Sequence, residues 1–300
     1  MPAEQRFVEV SLVYKEQVSA VLESYLELVP WVVQMIIPKI ASYFWWVQPE
    51  YYMELQGIAT ALGLDAPTLL MAQYVYEFSA FCTSVVAYDA NGTIIHDRNL
   101  DFLFADAMRN ITYEAHFMQN GEKLFTAVMF AGMNGVMTGH KEGFSISLNE
   151  RKPSWRTNPY DLLINLIDIF SGFLQVSHVI RNTLAECSTY SCAFNKLATE
   201  PQIAPSYYAL SGNDTYEGAI ISRDRIGPAH IELLSADQWY IVQTNDDHWT
   251  GVCTIRCSYV KEGMDKIGRD NFTADQLVYM LKQWPSNNDH SIYNALMINS

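Results

Sequence analysis

Positive charge is scarce in this chain: 19 lysines and arginines stand against 33 aspartates and glutamates over 300 residues, a formal net charge of −14 at pH 7. No Lys/Arg-rich stripe is present to neutralise phosphates, so a nucleic-acid partner is not expected. Cysteine is scarce as well, with five in all, too few for a disulfide-built scaffold. Cys187 and Cys192, and Cys253 and Cys257, are not spaced like zinc ligands and have no paired histidines beside them. They read as structural thiols or as two local bridges. There is no His-Glu-x-x-His, no P-loop and no Gly-x-Ser-x-Gly. Gly132-Met133-Asn134-Gly135 is not a dinucleotide fingerprint, so no cofactor or metal is expected. Unbroken apolar runs of membrane length are missing too. Leu28–Val47 is apolar and aromatic, but Pro30, Pro38 and Lys39 interrupt it. It reads as two short helices, packed on a core or half-inserted in a lipid surface, the second role suiting Trp31, Phe44, Trp45 and Trp46. Met1–Arg6 lacks the basic start and apolar run of a secretory leader.

What remains is ordinary for a globular protein, 49% hydrophobic and 17% charged, and suits one large domain or two closely packed pieces. A sequence pI near 4.8 leaves the chain almost uncharged at lysosomal acidity. Four sequons begin at Asn91, Asn110, Asn213 and Asn271. Asn91 sits in a tight turn, so the other three are the expected glycosylation sites. Together these features suit a lysosomal or secreted protein whose leader has been removed or replaced. The alternative is an organellar or cytosolic relative.

Periodicity divides the chain into blocks. Residues 14–81 read as helical, with Met53, Leu55, Ile58 and Leu62 at helical spacing and Asp65 capping a further helix that has Pro67 in its first turn. At Cys82 the period changes. Thr83–Tyr88 and Thr93–His96 form a hairpin through Asp89-Ala90-Asn91-Gly92, and a second hairpin joins Tyr113–Gln119 to Lys123–Phe130 through Asn120-Gly121. A strand is expected at Phe144–Leu148, then helices at Tyr160–Phe170, Leu174–Ala185 and Cys192–Ala198. Strands resume at Ser206–Leu210, Gly218–Ser222, Ile231–Leu234 and Trp239–Thr244, before a helix at Ala274–Trp284 and a last strand near Ile292–Met297. The order helices, strands, helices, strands argues for an α+β fold in which two antiparallel sheets stack between helical layers.

Cys82 stands where the helical region stops and strands begin, with Arg98 and Asp101 16 and 19 positions on. A backbone cut before a cysteine frees an amine beside the thiol, so nucleophile and base come from one residue. The competing reading of Cys82 alone is a small buried hydrophobe. Arg98 and Asp101 lie just past the second strand of the first hairpin, whose return could bring both beside Cys82. An arginine there favours thiolate, and a carboxylate can hold the new ammonium; otherwise the two are an exposed ion pair.

Phe81–Ala87, His96-Asp97-Arg98-Asn99-Leu100-Asp101, Ser147-Leu148-Asn149-Glu150-Arg151 and Val242–Trp249 together resemble the acid ceramidase family. Weaker matches are Phe130-Ala131-Gly132 with Gly135 and Thr138-Gly139, and Glu217–Arg225. The resemblance runs in order from about residue 5 to residue 297. It implies a four-layer αββα N-terminal-nucleophile hydrolase and a proenzyme that cuts itself between Phe81 and Cys82. A helical α chain of residues 1–81 and a catalytic β chain of residues 82–300 would then persist as a heterodimer within one globular unit. Cys82 becomes the nucleophile and its freed amine the general base, with Arg98 and Asp101 beside it. Asn245 matches the family's oxyanion-hole asparagine, Glu150 a glutamate that helps order the site, and Arg256 stands for an arginine of the following loop. The chain departs from the family in a shorter loop over Thr250–Cys257, in Asp246 where a tyrosine is usual and in Asp97 where a glycine is usual.

The resulting expectation is a self-processing cysteine amidase with an acidic optimum that hydrolyses a lipid amide, either an N-acylethanolamine or a ceramide, to fatty acid and amine. The region Leu28–Val47 would border the acyl slot or meet a membrane surface. The alternative is a catalytically silent relative that binds lipid or serves as a subunit of a larger assembly, separable from the first by turnover of a fatty amide.

Overall fold

In the computed structural model, residues 1–27, 31–76, 80–151, 168 and 171–299 are described. The expected helix at Tyr160–Phe170 falls almost wholly outside them. Five helices come first: α1 (Val8–Val13), α2 (Lys15–Leu26), α3 (Trp31–Val47), α4 (Pro49–Leu62) and α5 (Ala66–Tyr76). Asp65 caps α5 as its sequence suggests, Oδ1 accepting from the Thr68 amide at 2.8 Å. The expected break in Leu28–Val47 is corrected: α3 is one helix that contains Pro38. A proline inside a helix forfeits a donor and crowds the preceding turn, at about 3 kcal/mol. Burial of Ala41 and Phe44, in a helix that packs on α4 and α5, keeps it continuous. Trp46 is 80% exposed and Trp45 41%. No single helix among the described residues is long and apolar enough to cross a membrane.

Eleven strands are named among the described residues: β1 (Ala80–Tyr88), β2 (Ile94–Phe102), β3 (Thr112–Gln119), β4 (Glu122–Phe130), β5 (Thr138–Lys141), β6 (Phe144–Glu150), β7 (Ser206–Ser211), β8 (Gly218–Arg223), β9 (Pro228–Leu233), β10 (Tyr240–Gln243) and β11 (Ser291–Ile298). They form two antiparallel sheets, β10-β1-β2-β11 and β3-β4-β5-β6-β7-β8-β9. Both predicted hairpins are present, each turned by glycine at positive φ, Gly92 at 84° and Gly121 at 88°. Only glycine takes such angles without steric cost. Five further helices are named after β2 among the described residues: α6 (Ala105–Arg109), then α7 (Val176–Glu186), α8 (Tyr190–Thr199), α9 (Ile255–Ile267) and, last, α10 (Ala274–Leu281).

The layers are set by the strand period of two. On β1, Val85 and Ala87 face outward and bury against Val260, Met264, Leu277 and Leu281 of α9 and α10. Val86 faces inward and meets Ala209 and Ile220 of the seven-stranded sheet. The other face of that sheet packs on α7 and α8, with Val179, Ile180, Leu184 and Leu197 in the main core. The order is therefore helix, sheet, sheet, helix, the four-layer αββα fold expected from the sequence. Helices α2–α5 join the same core through Val18, Phe44, Leu55, Ile58 and Leu69.

The N-terminal helices are also tied to the rest by charge. Glu54 of α4 is 1% exposed and takes a bidentate hydrogen bond from Arg181 of α7, 2.6 Å to each oxygen. Arg6 reaches the same carboxylate at 2.9 Å, and Asn134 Nδ2 at 3.2 Å. His178 stacks on Tyr51 with ring centroids 3.7 Å apart.

Candidate active site

Cys82 is not the first residue of its strand, as its sequence context suggests. β1 starts at Ala80, so Phe81 and Cys82 are both paired with β2, opposite Asp101 and Leu100. The Arg98 and Asp101 placement also needs correction. Neither lies past a strand; both are inside β2, which runs on to Phe102. Their side chains therefore leave opposite faces. Arg98 shares the inter-sheet face with Cys82, whereas Asp101 looks toward the helical layer.

Arg98 is fully buried. It donates to Thr138 Oγ1 at 2.6 Å, to the Leu148 carbonyl at 2.6 Å and to Tyr293 Oη at 3.0 Å, and its guanidinium sits 5.6 Å from the Tyr293 ring centroid. A cation held this way lowers the cost of a thiolate at Cys82. Burial works against it and prevails: the thiol, 0% exposed, is pushed above its ordinary pKa, with Arg98 and Arg256 pulling it back.

On the outer face Asp101 accepts from Ser291 Oγ at 2.5 Å, Asn288 Nδ2 at 3.2 Å and Arg256 Nη1 at 3.4 Å. Its carboxyl is raised from the ordinary value, by burial foremost, with those donors opposing. Arg256 is an α9 residue rather than a loop residue. Besides Asp101 it reaches the Cys82 carbonyl at 2.7 Å, Thr83 Oγ1 at 3.1 Å and Asn245 Oδ1 at 2.8 Å. The disulfide Cys253–Cys257 brackets Arg256 in sequence, and Cys187–Cys192 is the second bridge. Cys82 is left as the free thiol.

Asn245, just past β10, accepts from the Cys82 amide through Oδ1 at 2.8 Å. Its Nδ2 donates to the Glu150 carbonyl at 2.8 Å. This orientation is fixed by its neighbours, because the Cys82 N–H and the Arg256 guanidinium both require an acceptor. The sequence led us to expect the donor end of this amide beside Cys82; with the Phe81–Cys82 peptide intact, the acceptor end is there. Glu150 enters the cluster by its main-chain carbonyl.

The chain thus brings Cys82, Arg98, Asp101, Glu150, Asn245 and Arg256 together. Sequence reasoning gave no individual role to Asn149, Ser84 or Gln243. Asn149 Nδ2 donates to the carbonyls of Gln243, 2.8 Å, and Thr244, 3.2 Å, while its Oδ1 accepts from Ser84 Oγ at 2.7 Å. Asn149 therefore fixes the segment that carries Asn245. Its position on β6, a register facing β1 across the two sheets, was the available signal. His96 lies between the sheets as well, but its ring nitrogens meet Ser145 at 2.9 Å and Ser147 at 2.8 Å. Burial, assisted by Arg98, lowers its pKa to about 3 and keeps it neutral. The sequon residues Asn91, Asn110, Asn213 and Asn271 are all exposed. Among the described residues no group of three or more His, Cys, Asp and Glu could hold a metal ion.

No protein-family profile matches the chain. Individual relatives do. The N-acylethanolamine-hydrolyzing acid amidase of Rattus norvegicus is 36% identical over 278 residues, 89% of this chain and 74% of the relative. The Caenorhabditis elegans N-acylethanolamine-hydrolyzing acid amidase is 31% identical over 303 residues, 93% of this chain and 84% of the relative. The acid ceramidase of Pan troglodytes is 28% identical over 284 residues, 89% of this chain and 71% of the relative. A solved structure of the Caenorhabditis elegans acid amidase ortholog superposes with a TM-score of 0.65 at 33% identity, covering 72% of this chain and 92% of that one.

Proposed function

The chain belongs to the N-acylethanolamine acid amidase and acid ceramidase family of amidohydrolases, and from that premise we propose that it is a self-processing cysteine amidase acting on fatty-acyl amides. One observation carries the reading: both backbone groups of a buried cysteine are held by side chains 163 and 174 residues away, Asn245 on its N–H and Arg256 on its carbonyl. An ordinary buried cysteine in a strand has no need of such an arrangement.

In the first reaction the Cys82 Sγ attacks the Phe81 carbonyl carbon. The C–N bond breaks as the thiol proton passes to the Cys82 nitrogen, leaving a thioester and a free amine. Water then hydrolyses the thioester, separating residues 1–81 from 82–300 as one globular heterodimer. The cut places a positive ammonium beside the thiol, which joins Arg98 in favouring thiolate. The freed amine, with an ordinary pKa of roughly 7.7–8.0, is an ammonium at acid pH. It remains a donor to Asn245 Oδ1.

In the second reaction the thiolate attacks the substrate carbonyl, and the ammonium gives its proton to the departing amine. Water releases the fatty acid from the thioester. For Asn245 to stabilise the oxyanion, its amide must re-aim from the Glu150 carbonyl once the scissile peptide is gone. The exposed Trp45 and Trp46 at the end of α3 suit contact with the lipid surface that supplies substrate. The exposed sequons and the low pI fit a lysosomal or secreted glycoprotein working at acid pH.

Turnover of a fluorogenic fatty amide, with intact mass before and after incubation at about pH 4.5, tests the reading. Two chains breaking between Phe81 and Cys82, and turnover lost in Cys82→Ala, are expected. A processed protein without turnover of any fatty amide refutes it.

A further inference from the structure

Resting on the amidase reading, a further residue of the site emerges from the segment that follows β10. The Gln243 side chain folds back along its own chain, Nε2 donating to the Thr244 carbonyl at 3.2 Å and the Asp246 carbonyl at 3.0 Å. It thereby clasps Asn245 from both sides. Two carbonyls facing one end of the amide require the nitrogen there, so Oε1 must point the other way. It points at His248 Nδ1, 3.0 Å distant. That ring nitrogen consequently carries a proton. The second nitrogen, Nε2, stands 2.7 Å from Glu232 Oε2, a close contact rather than a well-aligned hydrogen bond. A bare lone pair so close to a carboxylate oxygen would be repelled.

Both ring nitrogens of His248 therefore face acceptors, and only the imidazolium suits both. We infer that His248 is a positioning residue, whose charged form, anchored by Glu232, holds Gln243 and through it the Asn245 segment in register with Cys82. Loss of the charge leaves one proton for two acceptors. Either Glu232 or Gln243 Oε1 then meets a lone pair, and the clasp on Asn245 loosens.

The charged surroundings of His248 are mixed. His230 of β9 lies with its ring centroid 6.1 Å away. Asp247 is the next residue back and is engaged by Arg151, Nε to Oδ1 at 2.7 Å. Arg151 also meets Asp224 at 2.6 Å, and Lys261 of α9 acts on Glu232. Two carboxylates, Glu232 and Asp247, and two cations, Lys261 and Arg151, thus surround the ring. Glu232 is the carboxylate in direct contact.

Two measurements test this, and the first does not depend on the amidase reading. In hydrogen–deuterium exchange corrected for intrinsic rates, peptides covering 243–250 of wild type are expected to lose about tenfold in protection between about pH 5 and about pH 8. In His248→Gln the low protection is expected at both. In steady-state kinetics at about pH 5, Glu232→Gln and His248→Gln are each expected to lower kcat about tenfold with KM nearly unchanged. Protection that is equal at the two pH values in wild type, or a kcat that Glu232→Gln leaves unchanged, overturns the inference. Absence of turnover in wild type with the exchange pattern intact removes the amidase reading and leaves the positioning role of His248 standing.

Discussion

Replacing Asp97 by asparagine should make the protein more stable at neutral pH and somewhat less stable in acid. Asp97 is 0% exposed on the helix-facing side of β2. Oδ1 accepts from Asn294 Nδ2 at 2.9 Å, and Oδ2 has no hydrogen-bond partner among the described residues. Burial pushes the carboxyl from 3.8 up to about 7, against the pull of the Asn294 and Arg98 hydrogen bonds and Lys282. Below pH 3.8 both folded and unfolded chains hold the proton. Between 3.8 and about 7 only the unfolded chain ionises, so stability falls as pH rises and then levels off. At 1.36 kcal/mol per unit, a shift of about three units amounts to roughly 4 kcal/mol lost across that window. Asparagine retains the acceptor for Asn294 and cannot ionise. Its amide, left without a partner where Oδ2 stood, costs about 1–3 kcal/mol, the same at every pH. The diagnostic quantity is therefore the pH-dependent part. Urea midpoints of Cys82→Ala and of Cys82→Ala with Asp97→Asn, compared at about pH 4 and about pH 8, should diverge by up to ~4 kcal/mol in favour of the asparagine. A difference between the two proteins that stays constant across the window would refute the reasoning.

Removal of Glu54 by substitution with alanine strands Arg181 in the interior and should cost about 3–5 kcal/mol, read as a fall in urea midpoint. Cys253→Ser combined with Cys257→Ser opens a five-residue loop that the chain-entropy account values at about 2 kcal/mol. By freeing the first turn of α9 it should lower kcat more than it lowers the melting temperature. Asn149→Ala removes the donor to the Gln243 and Thr244 carbonyls and should reduce kcat at least tenfold with KM nearly unchanged. An equal loss in kcat for the surface variant Asp237→Asn would show the assay to be insensitive to position.

Sequence legibility followed the range of the interactions. The turns at Asn91-Gly92 and Asn120-Gly121 act over four residues, and both hairpins were placed from them. Helix α9 was missed. Its buried positions, Cys257, Val260 and Met264, are only three, in a polar run broken by Gly263. That glycine lies under α10, where an added Cβ would come within 2.2 Å of Met280 Sδ; it answers to packing that no local pattern encodes. Strand β5 was missed for its brevity. The faces of β2 were legible in principle, since Arg98 and Asp101 differ by an odd number of positions, but only after the strand was known to extend that far. The contacts of Asn245 with Cys82 and of Arg256 with Asp101 cross most of the chain. Family resemblance named these residues, whereas the outcome that Asn245 presents its oxygen depends on Arg256 and Glu150 closing around it.

Both bridges lie between Cys187 and Cys257, and the first 81 residues contain no cysteine. A cut at Phe81 would leave two polypeptides with no disulfide between them, joined by packing and by polar contacts such as the Glu54–Arg181 pair, so their union becomes subject to mass action. Dilution, a long gel-filtration run or a shift in ionic conditions could then strip one polypeptide from the other, and specific activity would depend on the concentration at which the protein is handled.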